Sequence, residues 1–222
     1  MKQWEINLYT TVLASDMYGQ VQKSHSIARN HSHFVSPVPQ EMADQMFEHL
    51  ITSNNEEVLA FLQKTHHPSL PTLKTCLQNV VRNNANAPTL WNWISDELNR
   101  HPTNDIRTQI KPLRVLENTF RSSVKAQTSV RCLQALQPHL EQKEIDVLTL
   151  FARNNGHTRA GRQLLKHATL NEVEKLCHTY YTPTDTDLPK MLQEIEMERS
   201  RRTKNVLKKQ VAGKGATLKR KM

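Results

Sequence analysis

The stretch Glu144-Ile145-Asp146-Val147-Leu148-Thr149-Leu150-Phe151-Ala152-Arg153-Asn154-Asn155-Gly156 decides the fold class. Ile145, Leu148 and Phe151 recur at helical spacing and share one face. Asn154-Asn155-Gly156 then supplies the stop, since glycine readily takes the left-handed conformation that ends a helix.

Upstream the same grammar recurs. Met42, Met46, Phe47, Leu50 and Ile51 form a stripe behind Pro39. Ser53-Asn54-Asn55-Glu56 has capping-box spacing and leads to Val58, Phe61 and Leu62. Pro71 and Pro88 each open a helix, where a missing N–H costs nothing. The first carries Leu73, Cys76, Leu77, Val80 and Val81 and ends at Asn83-Asn84. The second carries Leu90, Trp91, Ile94 and Leu98. Ile106, Ile110, Leu113, Leu116 and Phe120 continue the pattern, but Pro112 must kink or divide it. Val130, Leu133 and Leu136 precede Pro138.

Downstream, Leu164 and Leu165 mark a short helix. Thr169-Leu170-Asn171-Glu172 is a second capping box, ahead of Val173, Leu176, Cys177 and Tyr180. No run of alternating β-branched residues bounded by turns stands out. The expected fold is all-α, a multi-helix bundle or short helical-hairpin array, with a separate C-terminal amphipathic helix and basic tail. The expected division is a helical domain over 1–182, a Pro/Thr/Asp linker over 183–189, a charged amphipathic helix over 190–211 and a disordered basic tail over 212–222.

Glu57-Val58, Glu144-Ile145 and Glu172-Val173 form an internal echo, each pair following a polar turn. Asn155-Gly156-His157-Thr158, followed by Asn171-Glu172-Val173-Glu174-Lys175-Leu176, is similar to part of an ankyrin unit. Arg159-Ala160-Gly161 stands where that unit has leucine and histidine, so no family is assigned.

Charge is distributed unevenly. The formal net charge is +9, yet Arg199 to Met222 hold ten Lys or Arg and no acid. The remainder balances twenty basic against twenty-one acidic residues. The tail is therefore an electrostatic handle on a near-neutral body. Leu188, Leu192 and Ile195 form an apolar stripe at its start, with Glu194, Glu196 and Glu198 ahead of the arginines and lysines, as the helix dipole favours.

Chemistry is harder to find. The chain has only five glycines, three of them before the tail, and lacks a Walker loop or dinucleotide fingerprint. His25, His31 and His33, the pair His66-His67, and Cys177-His178 invite a metal reading. None has the spacing of a zinc site, and they read as solvated loop histidines. Cys76, Cys132 and Cys177 fit apolar stripes and read as reduced core thiols, suited to a cytoplasmic location. No secretory signal and no membrane-spanning segment are seen. No catalytic residue, metal or cofactor is expected.

The expected function is a non-enzymatic protein–protein interaction module, an adaptor or assembly subunit, docking through helical surfaces and the C-terminal helix. Trp93 is either a partly exposed partner anchor or packed under a neighbouring helix; Leu188, Leu192 and Ile195 are the other anchors. Arg199, Arg201, Arg202, Lys204, Lys208, Lys209, Lys214, Lys219, Arg220 and Lys221 are candidates for contact with phosphates or an acidic partner. The alternative is sequence-nonspecific nucleic-acid binding through this tail; ~6 neutralised phosphates would give a salt slope of about −5. An anionic membrane surface is a further, weaker candidate partner. The acidic cluster near the C-terminus also resembles export signals of some bacterial type IV secretion substrates, which implies a secreted helical effector, although the basic final residues depart from that pattern.

Overall fold

The computed structural model describes residues 40–53, 67–85, 87–182 and 184–219. Their regular structure is helical throughout. The histidines 25, 31 and 33, the Ser53–Glu56 capping box, the stripe of Val58, Phe61 and Leu62, and the side chains of Met42, Met46 and Leu50 fall outside the described set. The chain divides into two compact units, residues 1–140 and 141–222. This division differs from the expected boundary at 182, and the C-terminal helix belongs to the second unit.

The first unit contains α1 (Gln40–Ser53), α2 (Leu70–Arg82), α3 (Pro88–Asn99) and the short α4 (Thr103–Asp105), which runs into a π-helical turn over Ile106–Ile110. Then come α5 (Pro112–Arg121), α6 (Ala126–Leu136) and a 3₁₀ turn over Gln137–His139. Pro112 divides its segment for a local reason. Its ring excludes the helical region for Lys111, which turns left-handed at φ 61°. The Lys111 N–H then reaches back to the Ile106 carbonyl at 3.1 Å, closing the π turn.

Within this unit α1 packs on α2, α2 on the π turn, α3 on α6 and α5 on α6. Phe47, Leu73, Cys76, Leu77, Ile94, Leu98, Ile106, Ile110, Leu116 and Cys132 form the core. The Trp91 indole N–H donates to the Ala85 carbonyl at 2.9 Å, so its burial leaves no orphan donor.

The second unit contains α7 (Gln142–Asn154), α8 (Thr158–Leu165), α9 (Leu170–Tyr180) and α10 (Asp187–Lys219). α7 packs against both α8 and α9, and α9 against α10. Gly156 ends α7 at φ 81°, as its sequence requires. Gly161 brings α8 close to α7; a Cβ there would lie 2.4 Å from Arg153 Cγ.

A side-chain clasp occurs in both units. In the second, the Gln142 amide donates to Asp146 Oδ1 at 3.0 Å and to the His167 carbonyl at 3.1 Å, while Thr169 N–H donates to Asp146 Oδ1 at 2.7 Å. In the first, Gln40 donates to Asp44 Oδ1 at 2.9 Å and to the His67 carbonyl at 2.8 Å, while Ser69 N–H donates to Asp44 Oδ1 at 2.9 Å. His67-Pro68-Ser69-Leu70 and His167-Ala168-Thr169-Leu170 are the matching loops. Each clasp lets an aspartate on one helix, α1 or α7, hold the loop that opens a later one, α2 or α9, satisfying a loop N–H that helix geometry leaves over. The expected Thr169 capping box is not made. Asp146 takes the Thr169 N–H, and Glu172 pairs with Lys175 at 2.8 Å.

Candidate functional site

The basic segment is the C-terminal part of α10, and its geometry begins at the linker. Thr182 N–H donates to Asp185 Oδ2 at 2.6 Å, and the turn leads straight into the helix at Asp187. Pro189 sits in the first turn, where it breaks no hydrogen bond. The helical backbone then continues through Gly213 and Gly215 to Lys219. It therefore takes in residues expected as linker (187–189) and as tail (212–219).

One face of α10 is clamped to its own unit. Leu188, Met191 and Ile195 are buried, and Leu192 is half-buried. The expected partner anchors Leu188 and Ile195 are thus occupied by the chain itself. Glu194 receives Arg153 of α7 and Arg162 of α8 in ion pairs. Arg199 reaches Glu174 of α9 at 2.9 Å and Glu196 at 2.7 Å. Arg202 donates to the Leu165 and Ala168 carbonyls at 2.8 and 3.0 Å, neutralising the C-terminal end of α8.

Glu198 ties this end together. It is 8% exposed and accepts two hydrogen bonds from Arg201, at 2.6 and 2.7 Å, and one from Arg202 at 3.1 Å. Hydrogen bonding from Arg201, then from Arg202, holds its carboxyl below the usual range against the opposing effect of burial. Arg199, Arg201 and Arg202, three of the arginines expected as phosphate contacts, are therefore engaged with carboxylates of their own unit.

The lysines differ. Beyond Arg202 every described side chain, Thr203 to Lys209, is exposed. Lys204, Lys208 and Lys209 carry no ion pair among the described residues. Leu207 is 54% exposed and Met197 57%, while Val206, also 54% exposed, lies on the other side of the helix in line with Ile195 and Arg202. Met197, Ser200, Lys204 and Leu207 fall three and four apart on the face opposite the clamped one. A shallow groove along this face is lined by Gln193, Glu196, Met197, Ser200, Arg201 and Lys204. The side chains of Lys214 and Lys219, and residues Arg220 and Lys221, lie outside the described set.

No family model, curated protein or solved structure matches the chain.

The remaining sequence candidates are placed as follows. Trp93 is 5% exposed, its ring stacked on Phe47 with centroids 5.5 Å apart, so it packs under a neighbouring helix. Exposure as an anchor is excluded because α1 covers that face. The three cysteines are buried and form no disulfide. Burial pushes the Cys132 thiol up to about 12, and burial with the Glu174 charge raises Cys177 to about 11; Cys76 is raised as well, again mainly by burial. Thiols so far from ionisation are poor nucleophiles. Among the described residues no cluster of His, Cys, Asp or Glu could hold a metal ion, and no described helix is long and apolar enough to cross a membrane.

Two features escaped the sequence reading. His67 is an exposed loop histidine, as expected, but its Nδ1 also lies 3.1 Å from Oε1 of Glu97, which is 2% exposed. Glu97 sits between Ile94 and Leu98 on the apolar stripe of α3, and an acid in that register was the available signal. The other feature is the set of cross-helix ion pairs to α10. It depends on Arg153, Arg162 and Glu174, which sequence spacing does not bring near the tail.

Proposed function

We propose that this chain is a non-enzymatic interaction module that docks an acidic protein partner on the outer half of α10. The observation carrying this reading is the mixture of surfaces on one anchored helix. Its arginines are spent on internal carboxylates, while Lys204 shares the outer face with exposed Met197 and Leu207, and Lys208 adjoins it. A pure phosphate binder needs only the charge; apolar side chains beside lysines suit an amphipathic helix with acids beside its own apolar stripe. Anchoring adds to this, because a helix held at its base enters a complex with less ordering to lose.

The test uses the full chain and a Lys204→Glu/Lys208→Glu/Lys209→Glu variant. The probe is a synthetic three-heptad helix with leucine on one face and glutamate elsewhere, titrated by fluorescence anisotropy. The wild-type chain should bind saturably and the variant should not, with an unchanged circular-dichroism spectrum. Equal binding by both proteins would sink the proposal. Saturable binding of duplex DNA alone, without the peptide, would replace it with the nucleic-acid reading.

A further inference from the structure

The first unit carries a cleft of about 450 Å³ where the C-terminal ends of α2 and α5 meet the loop into α6. That volume lies within the range of ligand-binding clefts. Its floor is apolar and β-branched: Val81, Val115 and Val124. Its rim is polar, with Gln78 and Arg82 from α2, Asn118 from α5, and Ser123 from the loop. Gln78, Arg82 and Asn118 are exposed and make no side-chain hydrogen bond or ion pair among the described residues.

The backbone around the cleft is already satisfied and held. The carbonyls of Asn79, Val81 and Val80 accept from the N–H groups of Asn83, Asn84 and Ala85, and the Thr119 carbonyl accepts from Ser122. The negative ends of both helices are thus capped. Asn84 is left-handed at φ 52°, a conformation asparagine tolerates better than most residues. Its Oδ1 accepts the Lys125 N–H at 2.7 Å, tying the end of α2 to the start of α6. The rim is therefore preorganised, while its side-chain donors and acceptors are left over.

From this we infer that the cleft binds an extended peptide segment bearing a carboxylate side chain next to a small aliphatic residue. Each rim amide offers one donor and one acceptor in a plane, which matches the N–H and C=O of an extended backbone. The three valines accept the aliphatic side chain. Arg82 is the one charged residue of the lining, which holds no carboxylate, so its guanidinium selects the acid in charge-assisted hydrogen bonds. This site lies in a different unit from the α10 surface and does not depend on it.

The test is a backbone-amide NMR titration of the full chain with acetyl-Ala-Val-Asp-Ala-amide, its Asp→Asn counterpart, and sodium acetate. Shifts should centre on Gln78, Arg82, Asn118 and Ser123, with the Asp peptide about 10-fold tighter than the Asn peptide. Arg82→Gln should remove that preference, and Asn118→Ala should weaken both peptides about 5-fold. Arg82 and Asn118 are exposed, so neither variant threatens the fold. Equal affinity for the two peptides, acetate binding as strong as peptide binding, or no saturable shift by about 10 mM would each overturn the assignment.

Discussion

Replacing Asp146 by alanine tests the packing account at its most specific point. Asp146 is 5% exposed and accepts the Thr169 N–H at 2.7 Å and the Gln142 amide at 3.0 Å. Asp146→Ala leaves the Thr169 N–H, just ahead of α9, without its acceptor. A hydrogen bond to a charged group contributes roughly 1.5–3 kcal/mol net, and relief of a buried carboxylate offsets part of its loss. The expected cost is about 2 kcal/mol, or ~30-fold in local opening. Hydrogen exchange read by mass spectrometry resolves where it falls. Protection over Leu170–Tyr180 should drop by that factor while Pro88–Asn99 in the other unit is unchanged. Gln142→Ala should act in the same place but less strongly, since it removes a neutral donor. A drop under threefold, or one spread evenly over both units, would refute the clasp as the device that seats α9.

Three further outcomes follow from local geometry. His139 is 3% exposed, and burial, then the Arg107 charge, lowers its pKa. The unfolded chain binds the proton more readily, so the first unit should lose stability as pH falls below about 6.5, and His139→Gln should flatten that part of a pH series of urea melts. Gly161→Ala gains helix propensity but drives a methyl into Arg153 Cγ; thermal melts should show net destabilisation, with Arg153 displaced from Glu194 and faster exchange over the first turns of α10. The Glu198 carboxyl, held low by Arg201, contributes stability that is present above about pH 4.3 and lost as pH falls through its lower folded value, so exchange at the Arg199–Arg202 turn should quicken only in that acid range.

Proline and glycine made the helix ends readable. Pro88 opens α3, Pro112 divides its segment and Gly156 closes α7, each because one residue restricts or releases its own backbone. The apolar stripes likewise named most of the core. What escaped were polar contacts between elements distant in sequence. Gln142 and Asp146 look like solvent-facing residues until the loop at Thr169 is brought against them. Arg199, Arg201 and Arg202 look like a basic patch until Glu174 and Glu198 are seen to engage them. Trp93 lies at the edge of its helical stripe, and only the arrival of Phe47 decides that it is covered. For the candidate site, composition located the charge, but packing determined which cations remain available.

The most direct test of the interaction surface removes its apolar part and keeps its charge. Met197 and Leu207 are half-exposed on the outer face, so burying the remainder of each in a complex is worth about 1 kcal/mol apiece. Met197→Ser/Leu207→Ser in the full chain is titrated with the leucine–glutamate helix and, separately, with duplex DNA. The account predicts a loss of about 30-fold toward the peptide and no change toward DNA, since phosphate contacts ignore the two side chains. Unchanged peptide affinity in the serine variant would contradict it.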